Sequence, residues 1–265
     1  MSEKLWGGRF ATGVDARIDT FTSALAFDRR LVGHDLLGCM AHARMLAEQG
    51  ILSAPDASSI LSGLAALLAR IEAGELVVEG PDEDVHSWIE RQLRAEIGEP
   101  ASRLHTARSR NDQTATALRL WVRAALEDIV AGTTEILEVW VGQAAEHLET
   151  WLPGYTHLQR GQPVTLAHHL LAHFWALEAD CRRAITLHER GFRSPLGAGA
   201  LAGSPYPIAP QRSAQLLGFE VAYPNSMLAV TDRDYVAETL LVTSLVMLLL
   251  SRFATEVILW TTPEF

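Results

Sequence analysis

Leu104-His105-Thr106-Ala107-Arg108-Ser109-Arg110-Asn111-Asp112-Gln113 is the stretch on which the fold turns. It interleaves two arginines with hydroxyls, and a long apolar periodicity begins directly after it. Leu118, Val122, Ala125, Ile129, Thr133, Ile136, Trp140, Ala144 and Leu148 recur at steps of three and four, the spacing of one helix face. The pattern predicts a single helix from about Gln113 to Trp151, roughly 55–60 Å long. A helix of that length needs companions along its sides, as in a bundle. Asn111 or Asp112 is the expected N-cap, because a side-chain oxygen there accepts from the free N–H groups of the first turn. Arg108, Ser109, Arg110 and Asn111 then stand at a helix N-terminus. Positive partial charge, N–H donors, guanidinium and hydroxyl converge there on a place suited to a carboxylate or phosphate. Taken alone, the stretch favours the plainer reading of a cap with solvated arginines.

Downstream, Pro153-Gly154 ends the helix, and Tyr155-Thr156-His157-Leu158-Gln159-Arg160-Gly161-Gln162-Pro163 reads as a polar loop between two long helices. His157 is its first candidate for proton transfer, since an imidazole titrates near neutrality. A second long helix is predicted over about Val164–Glu189, with Leu166, Leu170, His173, Leu177, Cys181 and Ala184 on one side. His169 and His173 are four apart, a spacing that can bind a metal, and His168 adds a third imidazole. No third ligand of a metal set is evident, so polar residues on a bundle helix are the expectation and metal is not. Ser194–Pro210 is rich in glycine and proline. A glycine pattern cradles phosphate only between a strand and a helix; no strand precedes this one, so a rigid, close-packed turn is expected. A short helix over Gln211–Leu217 follows. The last helix, Asp232 to about Trp260, is apolar on nearly every side around Leu240–Leu250, which marks central burial. With only two other long helices available, that burial calls for partner subunits. Gly132, near the middle of the first long helix, suggests close approach of a neighbour.

Upstream, three shorter helices are expected. The first runs from Asp28 to Gly50 with Val32, Leu36, Met40, Ala43 and Ala47. The second starts at Ser53 or Asp56 and carries Ile60, Leu64, Leu68 and Ile71 to Gly74. The third opens at Pro81-Asp82-Glu83-Asp84 and carries Val85, Ile89, Leu93 and Ile97 to Gly98. His86, next to Asp84 in the first turn, reads from spacing as a surface histidine tied to a cap. Convincing strands are absent, so the class is all-α. The expected organisation is a small N-terminal helical domain, 1–110, followed by a long-helix bundle, 111–265.

The 265-residue chain, 48% hydrophobic, can bury a large core. Its net charge of −10 argues against nucleic acid or an anionic membrane as partner, because counterion release would have the wrong sign. Cys39 and Cys181 lie far apart in helical patterns, which fits a reducing compartment without disulfides. Met1–Phe10 has no apolar core and is not a signal peptide. The run Leu240–Leu250, interrupted by Thr243 and Ser244, is short of the ~20 residues that span a bilayer. A cytoplasmic protein is expected.

Five motifs together carry a resemblance. They are Leu5-Trp6-Gly7-Gly8-Arg9-Phe10, Asp82-Glu83-Asp84-Val85-His86, Arg108-Ser109-Arg110-Asn111-Asp112-Gln113, Tyr155-Thr156-His157-Leu158-Gln159-Arg160 and the segment Pro195–Gly203. In this order and spacing the chain resembles argininosuccinate lyase, of the fumarase/aspartase superfamily. The resemblance implies elimination of fumarate from argininosuccinate to give arginine, in arginine biosynthesis, with no cofactor and no metal. It implies a homotetramer around a central bundle of long helices, with active sites shared between subunits. Ser109, Arg110, Asn111 and Thr156 would contact the substrate, and His157 would accept the proton or belong to its relay. Asp84 and His86 would line the same cleft, His86 as a second candidate for proton relay or orientation.

Three departures accompany the resemblance. The family carries a Gly-Ser-Ser loop and a Lys-Lys-Asn stretch that this sequence does not reach, so the chain alone is expected to be incomplete for catalysis. Ala24 stands where Phe21-Thr22-Ser23-Ala24 usually ends in a substrate-binding serine. Leu228 stands where Asn225-Ser226-Met227-Leu228 usually ends in aspartate. Two alternatives follow: a non-catalytic structural or assembly homologue, as among lens crystallins, and a related lyase for another N-substituted succinate.

Overall fold

The structure, a computed structural model, describes residues 15–263. The motif Leu5–Phe10 lies outside the described residues. Ten α-helices and one hairpin make up the described chain: α1 (Ala16–Thr22), α2 (Leu25–Asp28), α3 (Val32–Glu48), α4 (Ala54–Glu72), α5 (Val85–Ile97), α6 (Arg110–Glu146), β1 (Trp151–Thr156), β2 (Gln159–Thr165), α7 (Leu166–Gly191), α8 (Pro210–Leu216), α9 (Ser226–Thr231) and α10 (Asp234–Trp260). The all-α expectation holds, with the hairpin as its one exception. The chain forms two compact units, one of Met1–Trp121 with Arg193–Asp232, the other of Val122–Phe192 with Arg233–Phe265.

In the first unit, α3, α4 and α5 pack around a core of Leu36, Cys39, Met45, Leu46, Ile60, Leu64, Trp88, Ile89 and Leu93, all fully buried. The apolar stripes read from the sequence supply most of these residues. The helices α4 and α5 start where a side chain meets their orphan N–H groups, whereas α3 continues from a short 3-10 turn without a side-chain cap at Leu31, so the cap expected at Asp28 is not made. Ser53 accepts from Asp56 N at 3.3 Å to open α4, and Asp84 accepts from Ser87 N at 2.6 Å to open α5. Gly63 lets α4 and α5 close together, since a Cβ there would stand 2.7 Å from Leu93 Cδ1.

The second unit packs α7 and α10 with the later turns of α6. Leu137, Trp140, Ala144, Leu170, Leu177, Cys181, Val246 and Leu249 form its core. The helix α6 ends at Glu146, before the expected Trp151. The segment read as a polar loop is a hairpin instead. Its strands β1 and β2 pair antiparallel from Trp151↔Thr165 to Thr156↔Gln159, with an irregularity between Pro153 and Tyr155. Pro153 and Pro163 face each other across it, and prolines in a pairing segment argue against a strand in any sequence reading.

The central burial expected of α10 does not occur within this chain. Leu240, Leu241, Met247, Leu248, Ile258 and Leu259 are all exposed. By length and composition α10 is apolar enough to cross a membrane, with mean hydropathy 1.8 over its most apolar window, of which 17% is buried. The shorter run counted in the sequence understated it. Gly132 likewise has open space beside it, with nothing within 4 Å of a built Cβ. Both cysteines are buried and free.

Candidate active site

Of the residues placed at the starts of α5 and α6 by sequence, Asp84, His86 and Arg110 are joined in one network in the first unit, with Ser109 and Asn111 at the same helix start. The helix opens at Arg110, and Ser109 Oγ accepts from Asn111 N at 3.3 Å. Ser109 therefore does the capping expected of Asn111 or Asp112. Asp112 reaches back, accepting from Ser109 N at 2.9 Å through Oδ1, in the manner of a capping box. Its other oxygen accepts from Gly197 N at 3.0 Å and Gly199 N at 2.9 Å. Burial pushes the Asp112 carboxyl up against the pull of these three N–H donors. Gly199 has φ +63°, and a Cβ there would stand 2.5 Å from Gly203 O, so only glycine lets the backbone turn its N–H onto Asp112. The Gly-rich segment is thus the close-packed turn that was expected.

Arg110 is held on several sides. Nη1 donates to Gln113 Oε1 at 2.8 Å and Glu90 Oε1 at 3.2 Å, Nη2 donates to Ser87 Oγ at 3.3 Å, and Nε lies 3.4 Å from Asp84 Oδ2. Burial raises the Glu90 carboxyl, but His105 and Arg110 outweigh it and hold the group below its ordinary value. Asn111 is exposed, and its amide donates to Ala200 O at 2.9 Å. Arg108 belongs elsewhere. It is buried, donates to Cys39 Sγ at 3.1 Å, and keeps Nε and Nη2 without hydrogen-bond partners. The expectation that it joins Arg110 in an open anion site is not met.

His86 is not a surface histidine. It is 2% exposed, with Nδ1 2.6 Å from Asp35 Oδ2 and Nε2 3.0 Å from Thr114 Oγ1. Asp35, itself 1% exposed, also accepts from Gln113 Nε2 at 3.0 Å. Burial pushes Asp35 up, yet His86, Arg108 and Gln113 together hold it below the usual carboxylate value. An ionised carboxylate only accepts, so Nδ1 carries the proton and Nε2 faces Thr114. Sequence reasoning passed over Asp35, Glu90 and Thr114. The available signal for Asp35 was a lone acid beside Leu36 on an apolar helix.

Thr156 and His157 lie in the second unit, at the tip of the hairpin. His157 and Leu158 form a two-residue turn, with φ +53° and +60°. Both central residues of such a turn are left-handed, a conformation ordinarily taken by Asn-Gly. Holding non-glycine residues there costs about 1–3 kcal/mol each, and such strain clusters at functional positions. The His157 ring is exposed and pairs with nothing among the described residues.

Two further clusters were not foreseen. Arg119, fully buried between Leu118 and Leu120, donates to Tyr223 Oη at 2.6 Å and to Asp232 Oδ2 at 3.0 Å, and stacks 5.0 Å from the Tyr223 ring centroid. In the second unit, Glu256 of α10 meets both His169 and His173 of α7, supplying the third ligand-bearing residue that the sequence did not reveal.

With this geometry in place, comparisons with known proteins give a consistent picture. The profile of a family described as lyase matches residues 8–265. The argininosuccinate lyase of Exiguobacterium sibiricum is 49% identical over 99% of this chain, and that of Geobacillus thermodenitrificans is 48% identical over 99%. The chain spans 57% of the length of either relative. Among solved structures, an EDDS lyase variant with bound fumarate is 34% identical, with TM-score 0.79, covering 96% of this chain and 51% of that one.

Proposed function

The chain belongs to the lyase family, and on that premise we propose that the protein is an argininosuccinate lyase, eliminating fumarate from argininosuccinate and leaving arginine. The observation that carries this reading is the built N-terminus of α6. Ser109, Arg110 and Asn111 gather there in fixed positions, and Glu90, Gln113, Ser87 and Asp84 hold the guanidinium in place.

Elimination removes a proton from the carbon beside a carboxylate, forms the C=C bond and sends the C–N electron pair out with the arginine nitrogen. Charge builds on the carboxylate, so fixed donors aimed at it lower the barrier. Ser109, Arg110, Asn111 and Thr156 supply such donors in this reading, with Asp84 orienting Arg110. His157, exposed and free to tilt toward a ligand, accepts the proton or passes it on. His86, with its Nδ1 proton committed to Asp35, orients or relays. The catalytic assembly is a homotetramer whose active sites draw on several subunits, and the exposed apolar face of α10 is the surface that self-association covers. Such an enzyme of arginine biosynthesis works in the cytoplasm without cofactor.

A second reading, a lyase for another N-substituted succinate, is favoured by Ala24. Its N–H donates to Glu83 O at 2.7 Å, so the position that usually carries a serine hydroxyl stands beside the Asp84 segment with a methyl group. Fumarate release, followed by ultraviolet absorbance on the full-length protein, separates the readings. Fumarate from argininosuccinate is expected. A folded oligomer inactive on argininosuccinate but active on another N-substituted succinate would select the second reading, and inactivity on both would overturn the lyase assignment.

A further inference from the structure

We propose that His169, His173 and Glu256 form a binding site for a divalent transition-metal cation of the zinc class, bridging α7 and α10. The site lies wholly within the second unit and is independent of the chemistry proposed above.

The sequence supplies half of it. Histidines four apart on one helix project from the same face, one turn above the other. The fold supplies the rest. Packing of α10 against α7 brings Glu256 to both rings, with Glu256 Oε2 3.1 Å from His173 Nε2 and also in hydrogen-bond contact with His169 Nε2. The three ligand atoms all lie within 4.8 Å of one another. Tetrahedral coordination with bonds of about 2.0–2.1 Å places ligand atoms about 3.3 Å apart, so small side-chain rotations suffice to admit an ion.

The donor set also selects the ion. Two imidazoles and one carboxylate suit zinc and its neighbours, whereas magnesium and calcium prefer oxygen alone. Three protein ligands leave a fourth position for water. His173 is 5% exposed, while His169 and Glu256 are 26% and 32% exposed, so the cluster has one closed side and one side open to a hydrated ion. Aromatic rings hold the imidazoles in place. Trp260 lies 5.2 Å from His169, and Phe253 lies 5.2 Å from His173. His168, next along the helix, is exposed and stands outside the cluster.

The test is titration of the chelator-treated full-length protein with zinc chloride at neutral pH, read by calorimetry and by thermal unfolding. One zinc ion per chain is expected, with a rise in Tm at saturation because the ion binds only the folded state. Glu256→Gln and His169→Gln, both at partly exposed positions and close in shape to the native residues, are expected to weaken binding at least about tenfold, since even an outer-shell change costs that much. Both are expected to abolish the rise in Tm, with circular dichroism confirming that the fold is kept. Absence of saturable binding by the native protein would overturn the site. Native-like binding by both variants would place the ion on other residues and overturn it equally.

Discussion

The N-terminus of α6 and the tip of the β1–β2 hairpin carry most of the candidate chemistry, and they are built in opposite ways. At the helix start, polar atoms are committed to one another. Asp112 accepts three backbone N–H groups, Arg110 is gripped by Gln113, Glu90 and Ser87, and Asp35 receives both His86 and Gln113. At the hairpin tip the His157 ring is exposed, and its backbone is held in a strained conformation. One region is a preorganised frame whose donors need not move when charge develops. The other presents a titratable group on a short, costly turn. In the proposed reading stability belongs to the first and reactivity to the second, so substitutions in the two places should separate the two properties.

The largest expected effect is on turnover. His157→Asn in the full-length protein should lower kcat by roughly 10²–10⁴-fold, the usual contribution of a positioned acid or base. The hairpin should remain, because asparagine tolerates the left-handed region better than most residues. Steady-state fumarate release checks this, and an unchanged kcat would remove His157 from the chemistry.

Next comes the frame. Asp35→Asn removes the buried carboxylate that accepts from His86 Nδ1 and Gln113 Nε2 and lies in the field of Arg108, and should cost about 3–5 kcal/mol of stability, the usual result of breaking a buried pair. Its pH dependence has a definite sign. The folded-state pKa of Asp35 lies below its ordinary 3.8, so its contribution is complete above that value and is lost as pH falls through the lower, folded-state pKa. Urea unfolding across this acid range should therefore be steeper in pH for the native protein than for Asp35→Asn. Equal slopes would mean that Asp35 has no stabilising charge partner.

The smallest effect runs the other way. Leu158→Gly removes a left-handed penalty of about 1 kcal/mol and should tighten the hairpin. Amide exchange at Thr156 and Gln159, the pair that flanks the turn, should slow. Faster exchange would show that the turn is not strained at Leu158.

Much of the frame could be read from the sequence, and particular residues show why. Ser53 and Asp84 cap their helices because local side-chain to backbone hydrogen bonding is a short-range property. The stripes Ile60, Leu64 and Ile89, Leu93 are buried as their spacing predicts. His86 failed the same treatment. Its neighbours in sequence suggest a surface cap, but its partners Asp35 and Thr114 lie 51 and 28 residues away. The hairpin failed because Pro153 and Pro163 mask it and because its turn uses His-Leu where Asn-Gly would signal one. Glu256 could not be matched to His169 and His173, since nothing local connects positions 87 and 83 residues apart.

The sequence by itself determined most of the helices, the caps at Ser53 and Asp84, the glycine turn and the set of motifs that place the chain in its family. Each of these depends on interactions within a few residues, or on a pattern of residue types along the chain. Only the tertiary structure decided that Arg108 is buried rather than presented, that His86 sits on Asp35, and that Glu256 closes onto two histidines of another helix. Those outcomes depend on which helix faces pack together, and burial then sets the charge and proton position of every group caught between them.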